Sequence, residues 1–130
     1  MNFGVKKMGK KALIVDDSAT VRVAVKRLLG DEFETEEAEN GLNAIFKLET
    51  IEGFDLLILD YNMPGLSGIE VIDEISKKDH IKNVNTIMLT TETDPEKHNQ
   101  VKAYDFVKCW IIKPITPNKI SAALKKIFKN

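Results

Sequence analysis

Short apolar runs recur along the chain, and each is followed by a longer stretch whose apolar residues fall at helical spacing. The clearest run is Leu56–Leu59, four apolar residues with nothing polar between them. A strand with one wet face alternates polar and apolar side chains, so an unbroken run reads as a strand buried on both faces. Strands are expected at Ala12–Val15, Glu34–Glu37, Leu56–Leu59, Thr86–Leu89 and Trp110–Ile112. The helical stripes between them are Val21, Val25, Leu28 and Leu29, then Leu42, Ile45 and Phe46, then Ile69, Ile72 and Ile75. A weaker stripe between Asp94 and Val107 holds Val101 and Tyr104, and the last comprises Ile120, Leu124, Ile127 and Phe128. Thr116 stands as a cap for that last helix, with Pro117 at its first position.

Strand–helix alternation five times over, with apolar strands, predicts an α/β fold: a parallel sheet with helices on both faces. Right-handed crossovers leave few arrangements. For five units the expected one is a flavodoxin-like (βα)5 doubly wound sheet, strand order 2-1-3-4-5, in a single domain. The acidic second strand, FETEEA, then lies at an edge, where charge discourages pairing with other sheets. The 130 residues suit one domain, read as residues 10–130 after a flexible leader at 1–9, within which Met8 offers a later start. A net charge of −1 provides no basic field for nucleic acid. Cys109 is the only cysteine, which rules out an internal disulfide and fits a reducing, cytoplasmic setting. No apolar run approaches the roughly 18 residues of a membrane span.

The polar residues fall at the strand ends. ALIV is followed by Asp16 and Asp17, LLIL by Asp60, TIML by Thr90 and Thr91, and WII by Lys113 and Pro114. Ligands of open parallel sheets bind at that edge. With strands 1, 3, 4 and 5 adjacent, the three aspartates cluster beside a hydroxyl and an ammonium. Carboxylates crowded together either keep protons or hold a cation. Oxygen donors without His or Cys favour Mg2+. A pocket of that composition suits a phosphoryl group, and an aspartate can itself be the nucleophile that accepts one.

The stretches ALIVDDSATVR, EEAENGLNA, FDLLILDYNMPGLSGIE, TIMLTTE and WIIKPIT, in this order and spacing, resemble a response-regulator receiver domain of the stand-alone, CheY-like chemotaxis type. The resemblance covers residues 10–129 and implies a role for each matching position. Asp60 takes the place of the phosphoacceptor, Asp17 of the direct metal ligand, and Asp16 of the acid that orients metal-bound water. Asn62 supplies a backbone carbonyl to Mg2+. Thr90 and Lys113 contact the phosphoryl group, and Gly68 is the small residue opening the third helix. Trp110 stands at the mobile aromatic and forms the switch together with Thr90. Asn62 and Glu92 set the decay rate, with Thr91 narrowing the path of water. The Lys113–Pro114 peptide is implied to be cis. The sequence departs from the family where Phe106–Val107 replaces Gly-Ala, where the aromatic is Trp, and in a span from Thr90 to Lys113 that is one residue longer.

The implied function is a phosphorylation-controlled switch of a two-component system, catalysing only its own phosphorylation and dephosphorylation. It would take its phosphoryl group from a sensor histidine kinase. It would signal as a monomer to a target protein such as a flagellar motor switch component, with a phosphatase as a possible further partner and neither DNA nor membrane as one. A phosphorelay shuttle or a non-chemotaxis single-domain regulator is the alternative. Plainer readings compete at each position: Asp16-Asp17-Ser18 as a helix cap, Asp60 as a turn residue, Thr90-Thr91 as strand-end punctuation, Lys113 as a solvated lysine. They would have to hold at four strand ends together. A haloacid-dehalogenase-type phosphatase would want an acid at Asn62, and a flavodoxin would not tolerate Asp16-Asp17 beside a flavin phosphate. Cys109 reads as a packed thiol, and His80 and His98 receive no role. The lysines of the last helix, Lys119, Lys125, Lys126 and Lys129, read as a wet face able to meet an acidic partner.

Overall fold

The computed structural model describes residues 9–81 and 83–128, so the expected leader, except for Gly9, and Lys129 lie outside the described residues. Among the described residues, parallel strands β1 (Lys10–Val15), β2 (Phe33–Ala38), β3 (Leu56–Leu59), β4 (Asn85–Thr90) and β5 (Val107–Ile112) form one sheet in the order 2-1-3-4-5. The connecting helices are α1 (Ala19–Leu29), α2 (Gly41–Thr50), α3 (Gly68–Ser76), α4 (Pro95–Lys102) and α5 (Pro117–Ile127). Alternate residues of the strands serve two cores. Leu13, Val15, Leu57, Leu59 and Met88 pack with α2 and α3, whereas Ala12, Ile14, Leu56, Ile58, Ile87 and Leu89 pack with α1 and α5. That division follows from the two-residue period of a strand. The acidic β2 is an edge strand, as expected, and its Glu37 accepts from Arg22 Nε of α1 at 2.8 Å.

The helices start where their caps are. Ser18, Asn40, Asp94 and Thr116 each accept from a backbone N–H of the first turn, and Ser67 with Glu70 forms a capping box on α3. Ser18, not the aspartates before it, caps α1, which leaves Asp16 and Asp17 for other work.

Three details depart from the sequence reading. On α2 the inward stripe is Gly41, Ala44, Ile45 and Leu48, so the expected Leu42 and Phe46 point outward at 72% and 63% exposure. The cause is close packing: a Cβ on Gly41 would lie 2.7 Å from Leu66 Cβ and 2.8 Å from Val71 Cγ2, which fixes the face turned to α3. Helix α4 stops at Lys102, and Tyr104 lies in the turn beyond it, its hydroxyl donating to Asp73 Oδ1 of α3 at 3.0 Å. β5 begins at Val107 rather than Trp110, and a bulge interrupts its pairing with β4 near that start. Val107 faces Thr86 and Cys109 faces Ile87, while Lys108 has no partner.

Candidate functional site

The backbone ties the strand ends together before any side chain acts. Asp60 N–H donates to Val15 O at 3.1 Å, Asp16 N–H to Ala38 O at 3.1 Å, and Lys113 N–H to Thr90 O at 2.9 Å. These bonds carry the sheet one step beyond the regular strands and hold Asp16, Asp60, Thr90 and Lys113 at one edge. Asp16, Asp60 and Thr90 are buried, whereas Asp17 is exposed. One carboxylate oxygen from each of Asp16, Asp17 and Asp60 lies within 4.8 Å of the others.

Buried carboxylates need partners, and here each oxygen of Asp16 and Asp60 has one. Asp60 Oδ1 accepts from Asn62 N–H at 3.1 Å, and Asp16 Oδ1 from Ser18 N–H at 2.9 Å. The remaining oxygens share Lys113, whose Nζ lies 2.8 Å from Asp16 Oδ2 and 3.0 Å from Asp60 Oδ2. Burial alone would lower the Lys113 ammonium, but its hydrogen bonds to Asp16 and Asp60 outweigh that and hold it above the ordinary lysine value. The chain thus supplies a cation of its own to two of the three crowded acids. The Lys113–Pro114 peptide is cis.

Gly68 opens α3 directly against this edge. Its N–H donates to Tyr61 O at 2.7 Å, and a Cβ there would stand 2.6 Å from Tyr61 Cα and 2.8 Å from Asp60 O. No side chain fits, so the loop from Asp60 to Ser67 can lie tight under the helix. Thr90 Oγ1 accepts from Glu92 N–H at 3.1 Å. Trp110 is half-buried on β5, opposite Met88. Its rings stack on His98 at 4.6 Å and 27°, and meet Tyr61 at 6.0 Å and 51°. Cys109 is half-buried, and burial pushes its thiol up, away from nucleophilic use.

Six contacts were not anticipated from sequence. Arg22 Nη1 donates to Asp16 O at 2.6 Å while its Nε holds Glu37, so α1 steadies the first acid. Its position four residues after the cap Ser18 is the signal that could have revealed it. His98, given no role, is the stacking partner of Trp110. Tyr61 donates to Gln100 Oε1 at 3.3 Å and lies under Lys97, and Asn62 and Glu92 are bonded to each other. These last depend on where α4 and the loop before it lie, which no local pattern reports.

As a test of metal fit, the trio offers only carboxylate oxygens, hard donors of the kind Mg2+ takes, and no His or Cys is among them. Parallel strands ending on three acids, a hydroxyl and a lysine define a receiver-type signalling domain. The family model for the response regulator receiver domain matches residues 12–125, and the chain belongs to that family. It is similar to chemotaxis protein CheY-3 of Vibrio cholerae, 37% identical over 92% of each chain. Its fold is similar to a solved structure of chemotaxis protein CheY4 of Vibrio cholerae, with a TM-score of 0.83 and 35% identity over 92% of this chain and 99% of that one. It also matches the transcriptional regulatory protein ResD of Bacillus subtilis at 37% identity, but over only 48% of that protein. Among the described residues, no helix is long and apolar enough to cross a membrane.

Proposed function

We propose that the chain, with residues 10–130 as its receiver domain, is a cytoplasmic signalling switch that takes a phosphoryl group on Asp60 from a phosphohistidine of a sensor kinase. The observation that carries this reading is Lys113, bonded at once to Asp16 and Asp60. In the transfer an Asp60 oxygen bonds to phosphorus while the phosphorus–nitrogen bond breaks, and the electron pair returns to the imidazole. Asn62 N–H fixes one Asp60 oxygen, leaving the other to attack. The Lys113 ammonium can then follow the charge from the carboxylate to a phosphoryl oxygen, and the Thr90 hydroxyl can donate to another. Asp16, Asp17, Asp60 and the Asn62 carbonyl would hold Mg2+. When bound, the ion supplies positive charge to the phosphoryl oxygens.

Two changes make the signal in this reading. Thr90 turns toward the phosphoryl group, and Trp110 moves against α4, so a target that prefers the changed face gains only its differential affinity for the two states. Asn62 and Glu92, at the mouth, set how soon the state decays. A target in flagellar motor control is favoured by similarity to chemotaxis proteins along almost their whole length. The match to the ResD receiver half keeps a non-chemotaxis regulator as the second reading.

Labelling with acetyl phosphate tests the core of the proposal. Label should appear with Mg2+, vanish in EDTA, and be absent from Asp60→Asn. Labelling at full rate in EDTA, or in Asp60→Asn, would sink it.

A further inference from the structure

Glu92 is held from three sides at the edge of the pocket. Its Oε1 accepts from Asn62 Nδ2 at 3.1 Å and from Lys97 Nζ at 3.2 Å, and its Oε2 accepts from Asp94 N–H at 3.1 Å. Each end of this arrangement is anchored. Asn62 N–H bonds Asp60 Oδ1, and Glu92 N–H bonds Thr90 Oγ1, so both residues lean on the reacting groups through their backbones. Lys97 belongs to the first turn of α4, and its Nζ also lies 5.5 Å from the centroid of Tyr61, the residue after Asp60. Asn62, Glu92 and Lys97 thus make a polar bar from the β3–α3 loop to α4, beside the Asp60 carboxylate. The electrostatics agree. Hydrogen bonds, first from Asn62 and then from Asp94 N–H and Lys97, hold the Glu92 carboxyl below its ordinary range, and the bond to Glu92 holds the Lys97 ammonium above its own.

We propose that Lys97 is a positioning residue for loss of the phosphoryl group: it keeps Glu92 on Asn62 and so keeps the bar closed against water. This rests on the proposal that Asp60 is phosphorylated. In the reaction a water oxygen bonds to phosphorus as the bond from phosphorus to the Asp60 oxygen breaks. Inorganic phosphate leaves, Asp60 recovers its carboxylate, and a proton passes to solvent. Without the ammonium, Glu92 keeps only an amide and a backbone N–H, and a carboxylate so weakly held swings into solvent. Because Lys97 rides on α4, any displacement of that helix also opens the bar, which ties the lifetime of the signal to the element that carries it.

The test measures decay of acyl-phosphate label after the donor is removed, in wild type, Lys97→Met, Lys97→Arg, Glu92→Gln and the Lys97→Met/Glu92→Gln double variant. Lys97→Met should lose label about threefold faster, the size of effect one exposed ion pair can exert on a barrier. Lys97→Arg should restore the wild-type rate, and Lys97→Met should add nothing once Glu92 is Gln. Beryllofluoride affinity, which reads the pocket floor, should move far less than the decay rate. Lys97→Met decaying at the wild-type rate or slower overturns the inference, and so does an undiminished Lys97→Met effect in the Glu92→Gln background. Failure of the parent proposal looks different: no label on wild type, or label retained by Asp60→Asn, and the inference then falls with it.

Discussion

Helices α3 and α4 border the same pocket and are attached to it by opposite means. α3 buries Gly68, Val71, Ile72 and Ile75, starts on a capping box, and lies so close to Asp60 and Tyr61 that only glycine fits at its first position. α4 has eight residues and buries Val101 alone. Its other ties include the Lys97–Glu92 pair, the contact of Lys97 with the Tyr61 ring, the Tyr61–Gln100 hydrogen bond and the stack of His98 on Trp110. Each fully buried apolar side chain stabilises its helix by about 1.5–3 kcal/mol, whereas exposed pairs contribute little. One wall of the pocket is therefore fixed to the core and the other is held by bonds that can be exchanged. The proposed switch uses both: a rigid side to place Asp60, and a side whose position can answer to a phosphoryl group there.

The contrast can be broken at its strongest point first. The fixed side includes the pocket floor, and Lys113→Met would leave Asp16 and Asp60 buried without their cation, at a cost of about 3–5 kcal/mol in urea unfolding. The pH dependence has a definite sign. Because the folded-state Lys113 ammonium is held above its ordinary value, its contribution is complete below the lysine range and is lost as pH rises through the raised value. Wild type should lose stability in that alkaline window, and Lys113→Met should lose less. Equal alkaline slopes would show that the floor is not held in this way.

The next effect sharpens the difference between the helices. Ile72→Ala in α3 should cost about 2–5 kcal/mol, while Gln100→Ala in α4 should stay within about 0.5 kcal/mol of wild type. A Gln100→Ala loss as large as that of Ile72→Ala would mean α4 is as firmly fixed as α3.

The smallest effect is spectroscopic. His98→Ala should alter the emission of Trp110, the chain's only tryptophan, while leaving the melting temperature almost unchanged. Beryllofluoride with Mg2+ should change that emission beyond what Mg2+ does alone, and Thr90→Ala should abolish the added change. If the added change survives without the Thr90 hydroxyl, Thr90 and Trp110 are not coupled.

The fold was legible because strand burial is written locally: Leu56–Leu59 can be read as a two-faced strand from its own residues. The positions of Asp16, Asp60, Thr90 and Lys113 at one edge then followed from strand order. What escaped was set by contact between distant segments. Leu42 and Phe46 have the spacing of a buried stripe, yet the close fit of Gly41 to α3 turned them outward. His98 carries no local mark of its partnership, since its stack exists only once α4 lies over β5. The sharing of Lys113 between Asp16 and Asp60 needed distances, not order.

The bulge at Lys108 has a consequence for how this chain can tolerate change. In a strand, adding one residue acts like a frameshift: every side chain beyond the insertion would exchange faces. Here the correction comes within the strand, so that Val107 and Trp110, an odd distance apart, both pack on the α2–α4 side while Cys109 and Ile111 pack on the other. The reading frame of the sheet is restored before Trp110, and Lys113 emerges at the pocket in phase with Asp16 and Asp60. The unpaired residue, Lys108, lies at the far end of β5 with its side chain exposed, and the chemistry downstream does not register it.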